Sequence, residues 1–190
     1  MIRRLVAAVI VVTFASAPAA FAHPQRSAST ATARQPDVIF VPTPTDVVEA
    51  MLKLARVTPS DVVYDLGSGD GRIPIAAAKS YGAHGVGIDI DPERVREATQ
   101  NAKTASVADK VIFNREDLFT ADLSGATVVT LYLSPAVNHR LAPKLMKELK
   151  PGTRIVSHAF DLGDWKPQQM VMVSGRPIYL WIVGRPAERK

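Results

Sequence analysis

The chain contains no cysteine. That excludes disulfides, a thiolate metal site and a cysteine nucleophile. Its four histidines are scattered without ligand spacing, so no metal is expected. No block of Lys and Arg interleaved with aromatics occurs, so the sequence carries no nucleic-acid footprint. The formal net charge of +5 is mild and fits an ordinary solvated surface better than a strongly acidic partner. No internal repeat and no second domain are visible in the 190 residues, a length that suits one domain. Two phosphate-loop signatures fail as well. No Gly-Lys-Ser/Thr ends a glycine loop, and Arg72 stands where a G-x-G-x-x-G pattern counted from Gly67 would need its third glycine.

What is present is a tighter loop with an acid in front. Val62, Val63 and Tyr64 read as a short buried strand. Asp65 is expected to end it, and Gly67, Gly69 and Gly71 follow at every second position around Ser68 and Asp70. An Ala-rich apolar run over 73–81 reads as a helix. Strand, glycine loop and helix N-terminus in that order form a cradle in which backbone N–H groups can approach a ligand. An acid beside the loop is a poor neighbour for phosphate and a good one for an ammonium group. The ligand this favours has an amino-acid end and a nucleoside end, as S-adenosylmethionine does. A second strand over 84–88 closes on Asp89, 18 residues after Gly71, about where an acid that binds ribose hydroxyls belongs. Asp91-Pro92-Glu93 then starts a helix with a capping acid, proline in the first position and an acid in the first turn.

The run Asp65-Leu66-Gly67-Ser68-Gly69-Asp70-Gly71-Arg72 resembles motif I of class I S-adenosylmethionine-dependent methyltransferases, and Gly87-Ile88-Asp89 resembles their second motif. The resemblance covers roughly residues 41–183. It implies an α/β, Rossmann-like fold: a mostly parallel seven-stranded sheet with a C-terminal antiparallel hairpin. It implies a cofactor site built from Asp65, Gly67, Ser68, Gly69, Gly71 and Asp89. It also implies that Asp117 hydrogen-bonds the adenine amino group. In similar bacterial proteins a Val-Pro-Thr-Pro segment lies against the cofactor, which would put Thr43 in the pocket; a rigid turn with no ligand contact remains the alternative.

The remaining elements follow from pattern. Thr45 is expected to cap a helix carrying Val47, Val48, Met51, Leu52 and Leu54, stopped by Thr58-Pro59. Strands are expected over 111–114, 126–133, 154–158, 170–173 and 178–183, and a helix over 138–149. The 126–133 strand is strongly apolar and reads as central, and it ends in Tyr132-Leu133-Ser134-Pro135. Ligands in open α/β sheets sit at the carboxyl ends of strands, so Tyr132 and Ser134 are the candidate catalytic residues. Relatives that methylate nucleobases or glutamine amides carry Asn- or Asp-Pro-Pro-Tyr there, and this chain does not. His139 and His158 are weaker candidates for a base. The motif I run together with Tyr-Leu-Ser-Pro is similar to small lysine methyltransferases whose mitochondrial members modify ATP synthase subunit c and the adenine nucleotide translocase. A protein acceptor is therefore implied. A small-molecule O- or N-methyltransferase and a non-catalytic cofactor-binding module are the alternatives.

Residues 1–22 read as a signal peptide. Arg3 and Arg4 make the positive start, 5–15 is apolar but short for a membrane span, and Ala20-Phe21-Ala22 offers a cleavage site before His23. Residues 23–36 read as a disordered linker and 37–190 as the methyltransferase domain. The expectation is export to the periplasm or beyond, with no stable membrane span after cleavage; an uncleaved N-terminal anchor is the alternative.

Overall fold

A computed structural model describes residues 39–185. The expected signal peptide and linker lie outside the described residues. In chain order the elements are α1 (Thr45–Leu54), β1 (Val62–Leu66), α2 (Arg72–Tyr81), β2 (His84–Asp89), α3 (Pro92–Thr104), β3 (Val111–Arg115), β4 (Val128–Leu131), α4 (Pro135–Glu148), β5 (Arg154–His158), β6 (Gln169–Val173) and β7 (Arg176–Ile182). The strands form one sheet in the order β3-β2-β1-β4-β5-β7-β6. The pairs among β1 to β5 are parallel, and β7 runs antiparallel to both β5 and β6.

Period-two alternation sorts the central strands between two apolar layers. Val129, Leu131, Ile155 and Trp181 point to one face, where they meet Leu141 and Leu145 of α4. Val128, Val156, Ile178 and Leu180 point to the other, against Val47, Met51 and Leu52 of α1 and Ile73 and Ala77 of α2. The α3 helix extends that second layer by packing Ala102 near Ala78 of α2. Among the described residues one face carries three helices and the other carries α4 alone. Two segments without helix finish the α4 face: the stretch after β3, with Ala121 and Leu123, and residues 159–168, with Leu162 and Trp165.

Several boundaries differ from the sequence reading, each for a local reason. Thr45 does not cap α1. Pro44 takes the N-cap place in extended backbone (ψ 149°), without a side-chain cap bond, and its carbonyl accepts the Val48 N–H. β1 continues through Asp65 to Leu66, because Asp65 and Leu66 still pair with Gly87 and Ile88 on one side and Thr130 and Leu131 on the other. β4 is shorter than expected and α4 begins earlier, at Pro135. Proline suits the first helical position, and Ser134 supplies the cap. The final hairpin turns on Ser174 and Gly175 alone, both at positive φ, so Arg176 and Pro177 already belong to β7.

Candidate active site

The carboxyl ends of β1, β2, β3 and β4 open on one cleft. Its wall includes Thr43, Asp65, Gly67, Ser68, Asp89, Asp117 and Tyr132. β1 and β4 are neighbours whose following helices lie on opposite faces of the sheet, so the cleft sits at a topological switch point.

The glycine loop is held from three sides. The N–H groups of Gly67 and Ser68 donate to the Ile88 carbonyl at 2.8 and 3.0 Å. Asp89 Oδ2 accepts the Gly69 N–H at 2.8 Å, and its Oδ1 accepts the Asp91 N–H at 3.0 Å. Gly71 is the N-cap of α2 at φ +79°, where a Cβ would stand 2.8 Å from the Ala98 Cβ and 2.5 Å from the Phe113 ring. Thus Gly69 and Gly71 shape the loop from behind, while Gly67 and Ser68 face the cleft. The Ser68 hydroxyl is buried beside Gly87 of β2 and without a hydrogen-bond partner.

Asp65 is 3% exposed. Burial pushes its carboxyl up to about 7, against the Thr130 hydroxyl that donates to it at 2.7 Å; the negative charges of Asp89 and Asp70 push the same way as burial. Six acidic side chains (Asp65, Asp70, Asp89, Asp91, Glu116 and Asp117) line the cleft against two guanidinium groups, Arg72 and Arg94. In a chain of positive net charge, this is a local field that attracts cations. A sulfonium and an ammonium group fit it; a polyphosphate does not.

Residues 39–43 form an outer wall, of which the sequence reading placed only Thr43 in the pocket. Thr43 is buried and its carbonyl accepts Arg72 Nη1 at 2.8 Å. Arg72 is itself held by Asp70, its Nε 3.0 Å from Oδ1. Phe40 lies against Gly69, with the Arg94 guanidinium 5.1 Å from its ring centre. Phe40, Arg72, Arg94 and Glu116 are lining residues the sequence reading missed. A bulky apolar residue just ahead of a Pro-Thr-Pro run was the available signal for Phe40. Asp117, expected at the adenine end, also accepts the Phe119 N–H at 2.9 Å.

On the acceptor side the candidates part. Tyr132 lines the cleft just past β4, its ring 3.9 Å from that of His158. Ser134 does not line it; its Oγ faces the Val137 N–H at 3.4 Å as the α4 cap. His139 is about half exposed and meets Asp161 at 3.4 Å. His158 is 1% exposed. Burial, with the Arg176 charge, lowers its imidazole to about 4 against the opposing pull of Asp46. An imidazole so placed stays neutral at neutral pH and is too weak a base to deprotonate an alkylammonium group.

This strand order, with a glycine loop ending the first strand and an acid ending the second, defines a class I S-adenosylmethionine-dependent methyltransferase. The chain belongs to the ANTKMT methyltransferase domain family, whose model matches residues 65–169. A protein-lysine N-methyltransferase of Saccharolobus islandicus is 46% identical over 154 residues, spanning 78% of this chain and 96% of that protein. The adenine nucleotide translocase lysine N-methyltransferase of mouse is 38% identical over 124 residues, 65% of this chain and 54% of that one. A crystal structure of an RNA methyltransferase from Salinibacter ruber, in complex with S-adenosyl-L-homocysteine, is 56% identical with a TM-score of 0.75, covering 79% of this chain and 97% of that one. The cofactor is S-adenosylmethionine, and the acid-lined cleft fits its sulfonium and ammonium groups.

Proposed function

We propose that this chain methylates the ε-amino group of lysine in a protein outside the cytoplasm. The observation that carries the acceptor is the open side of the cleft. Tyr132 lines the cleft beyond the end of β4, and the described residues between the strands carry no inserted domain over it. A side chain presented by a folded or extended protein can reach such a site. The names of the archaeal and mouse relatives support the same acceptor. Export rests on residues 1–22 of the sequence.

Bound S-adenosylmethionine supplies an electrophilic methyl group on a sulfonium centre. The protein has then to position the acceptor and exclude water. Asp89 and Asp117 hold the nucleoside end and Asp65 the ammonium end, while Tyr132 forms the wall that meets the acceptor. The lysine nitrogen must arrive neutral. As the new C–N bond forms and the S–CH3 bond breaks, the amine carries the positive charge and then gives its proton to water. Tyr132 is the residue assigned to the acceptor; Ser134 is left to the helix.

The name of the Salinibacter ruber relative favours a second reading, an RNA acceptor. The carboxylates around the cleft weigh against it, because they repel a phosphate backbone. Incubating the purified protein with methyl-labelled cofactor and an extract of the cell envelope distinguishes the two. Label recovered as methyl-lysine after hydrolysis of the protein fraction is expected. Label confined to RNA, lipid or small molecules would overturn the proposal.

A further inference from the structure

Thr43 and Tyr132 come from distant parts of the chain and stand on different walls of the cleft. One lies in the outer strap that precedes α1; the other lies past β4. A single side chain touches both. His158, the last residue of β5, has Nδ1 3.5 Å from the Thr43 hydroxyl and stacks its ring 3.9 Å from that of Tyr132 at an interplanar angle of 32°.

The backbone beneath His158 is unusually fixed. Ala159 adopts φ +67°, rare for a residue with a Cβ. The Phe160 N–H folds back onto the His158 carbonyl at 2.9 Å, and the Ala159 N–H donates to Pro177 at 2.8 Å. The Phe160 carbonyl is clamped by Ser157 Oγ at 2.6 Å and Asn138 Nδ2 at 3.2 Å. Left-handed backbone of this kind persists where its surroundings over-determine it, and it clusters at functional sites.

His158 Nε2 is buried and without a hydrogen-bond partner. Such an atom is a cost to the fold. A phenylalanine could stack on Tyr132 without it. What the imidazole adds over phenylalanine is the contact to Thr43.

We infer that His158 is a positioning residue that latches the cofactor strap to the acceptor wall: its Nδ1 holds Thr43 and its ring face holds Tyr132. The two functions separate by substitution. The turnover half of the inference rests on the methyltransferase reading of the cleft, while the strap half does not.

Two variants test it, with S-adenosyl-L-homocysteine affinity read by calorimetry and labelling of the envelope protein fraction read at saturating cofactor. His158→Phe keeps the stack and loses the hydrogen bond. It should raise the Kd for S-adenosyl-L-homocysteine by about threefold to tenfold. His158→Asn keeps a polar atom near Nδ1 and loses the stack. It should leave that Kd within about twofold and slow labelling by about tenfold or more, to well below the rate of the Phe variant. Equal behaviour of the two variants in both readouts, tracking only their melting temperatures, overturns the latch. Should the Asn variant not fold, Thr43→Val decides. It removes the same hydrogen bond from the other side, together with whatever Thr43, a cleft-lining residue, gives the ligand directly, so adding His158→Phe to Thr43→Val should weaken binding no further. Additive losses overturn the latch. Wild-type protein that labels no envelope protein defeats the lysine reading and leaves the calorimetric arms to judge the strap.

Discussion

The carboxylate of Asp89 accepts the backbone N–H of Gly69 at 2.8 Å. The acid that ends β2 is thus also the clasp of the glycine loop that follows β1. Its two oxygens each take one backbone donor, from Gly69 and Asp91, which leaves lone pairs for the ribose hydroxyls expected there from the sequence.

Replacing Asp89 with alanine should therefore cost affinity on two counts, the hydroxyl bonds and the set of the loop. Charge-assisted hydrogen bonds are worth about 1.5–3 kcal/mol each. With partial recovery by water, S-adenosyl-L-homocysteine binding should weaken by roughly ten- to a hundredfold. Asp122 is exposed and bonded locally to Ser124, so Asp122→Ala should bind as wild type. Calorimetry on both variants, with circular dichroism to confirm folding, makes the comparison. Wild type should show no comparable affinity for NAD.

Asp65 gives cofactor binding a pH dependence. Its carboxyl sits at about 7 in the folded chain and at about 3.9 when unfolded. A raised acid favours the folded state below its unfolded value and loses that contribution as pH rises through the folded one. From this group, the cofactor-free protein should lose stability between about pH 4 and pH 7. A ligand ammonium beside Asp65 favours the ionised form, so affinity should rise about tenfold from pH 6 to pH 8, with a proton released on binding. Calorimetry in two buffers of different ionisation enthalpy counts that proton. In Asp65→Asn the release and the slope should both disappear.

At the opposite end of the sheet, Asp61 holds β1, β4 and β5 together. It is 4% exposed and accepts from Arg154 Nη2 at 2.7 Å, Thr127 Oγ1 at 2.7 Å and the Thr58 N–H at 2.8 Å. Burial pushes its carboxyl up, but these partners outweigh it and hold it at about 2. Asp61→Ala leaves Arg154 without its anion and should destabilise the fold by about 3–5 kcal/mol. The same pair should hold its full contribution above about pH 4 and lose it as pH falls toward 2. Urea melts across that range provide the check, and cofactor affinity of the folded fraction should be unaffected.

Gly71→Ala places a Cβ against Phe113 and Ala98 at a residue with φ +79°. Neither the backbone nor the neighbours can give easily, so α2 and α3 must move apart. Both stability and cofactor affinity should fall together, in contrast to Asp89→Ala, where affinity falls with folding intact.

Export makes a simple prediction. Mass spectrometry of the envelope fraction should find the mature chain beginning at or near His23. A cytoplasmic chain beginning at Met1 would contradict it.

The sequence was most informative where chemistry demands particular residues at particular spacings. The Gly67–Gly71 loop, Asp89 and the Asp91-Pro92 helix start were legible because each does its work through local backbone. Ser134 stands after the expected strand, but its place as the α4 cap, set by Pro135 at the first helical position, was not read from the pattern. Asp65 was recognised as an acid of the site, yet its place inside β1, and hence its raised pKa, depends on pairing with β2 and β4. Arg72 was read as the residue that broke a glycine pattern and as the end of the motif I run; its bond to the Thr43 carbonyl, 29 residues away, could not be read from the sequence. His158 was read, with His139, only as a weaker candidate for a base. Its contacts to Thr43 and Tyr132 exist only once β4 and β5 are side by side.

The chain has two tryptophans, and the helix-free segment after β5 brings them together. Trp165 in that segment stands 6.4 Å from Trp181 of β7, and the Trp181 indole N–H donates to the Trp165 carbonyl at 2.7 Å. Neither lines the cofactor cleft. The intrinsic ultraviolet emission of this protein is therefore a native optical probe of one corner, the seating of residues 159–168 on the sheet. It reports that corner without a label and is separate from the chromophore of the bound nucleoside.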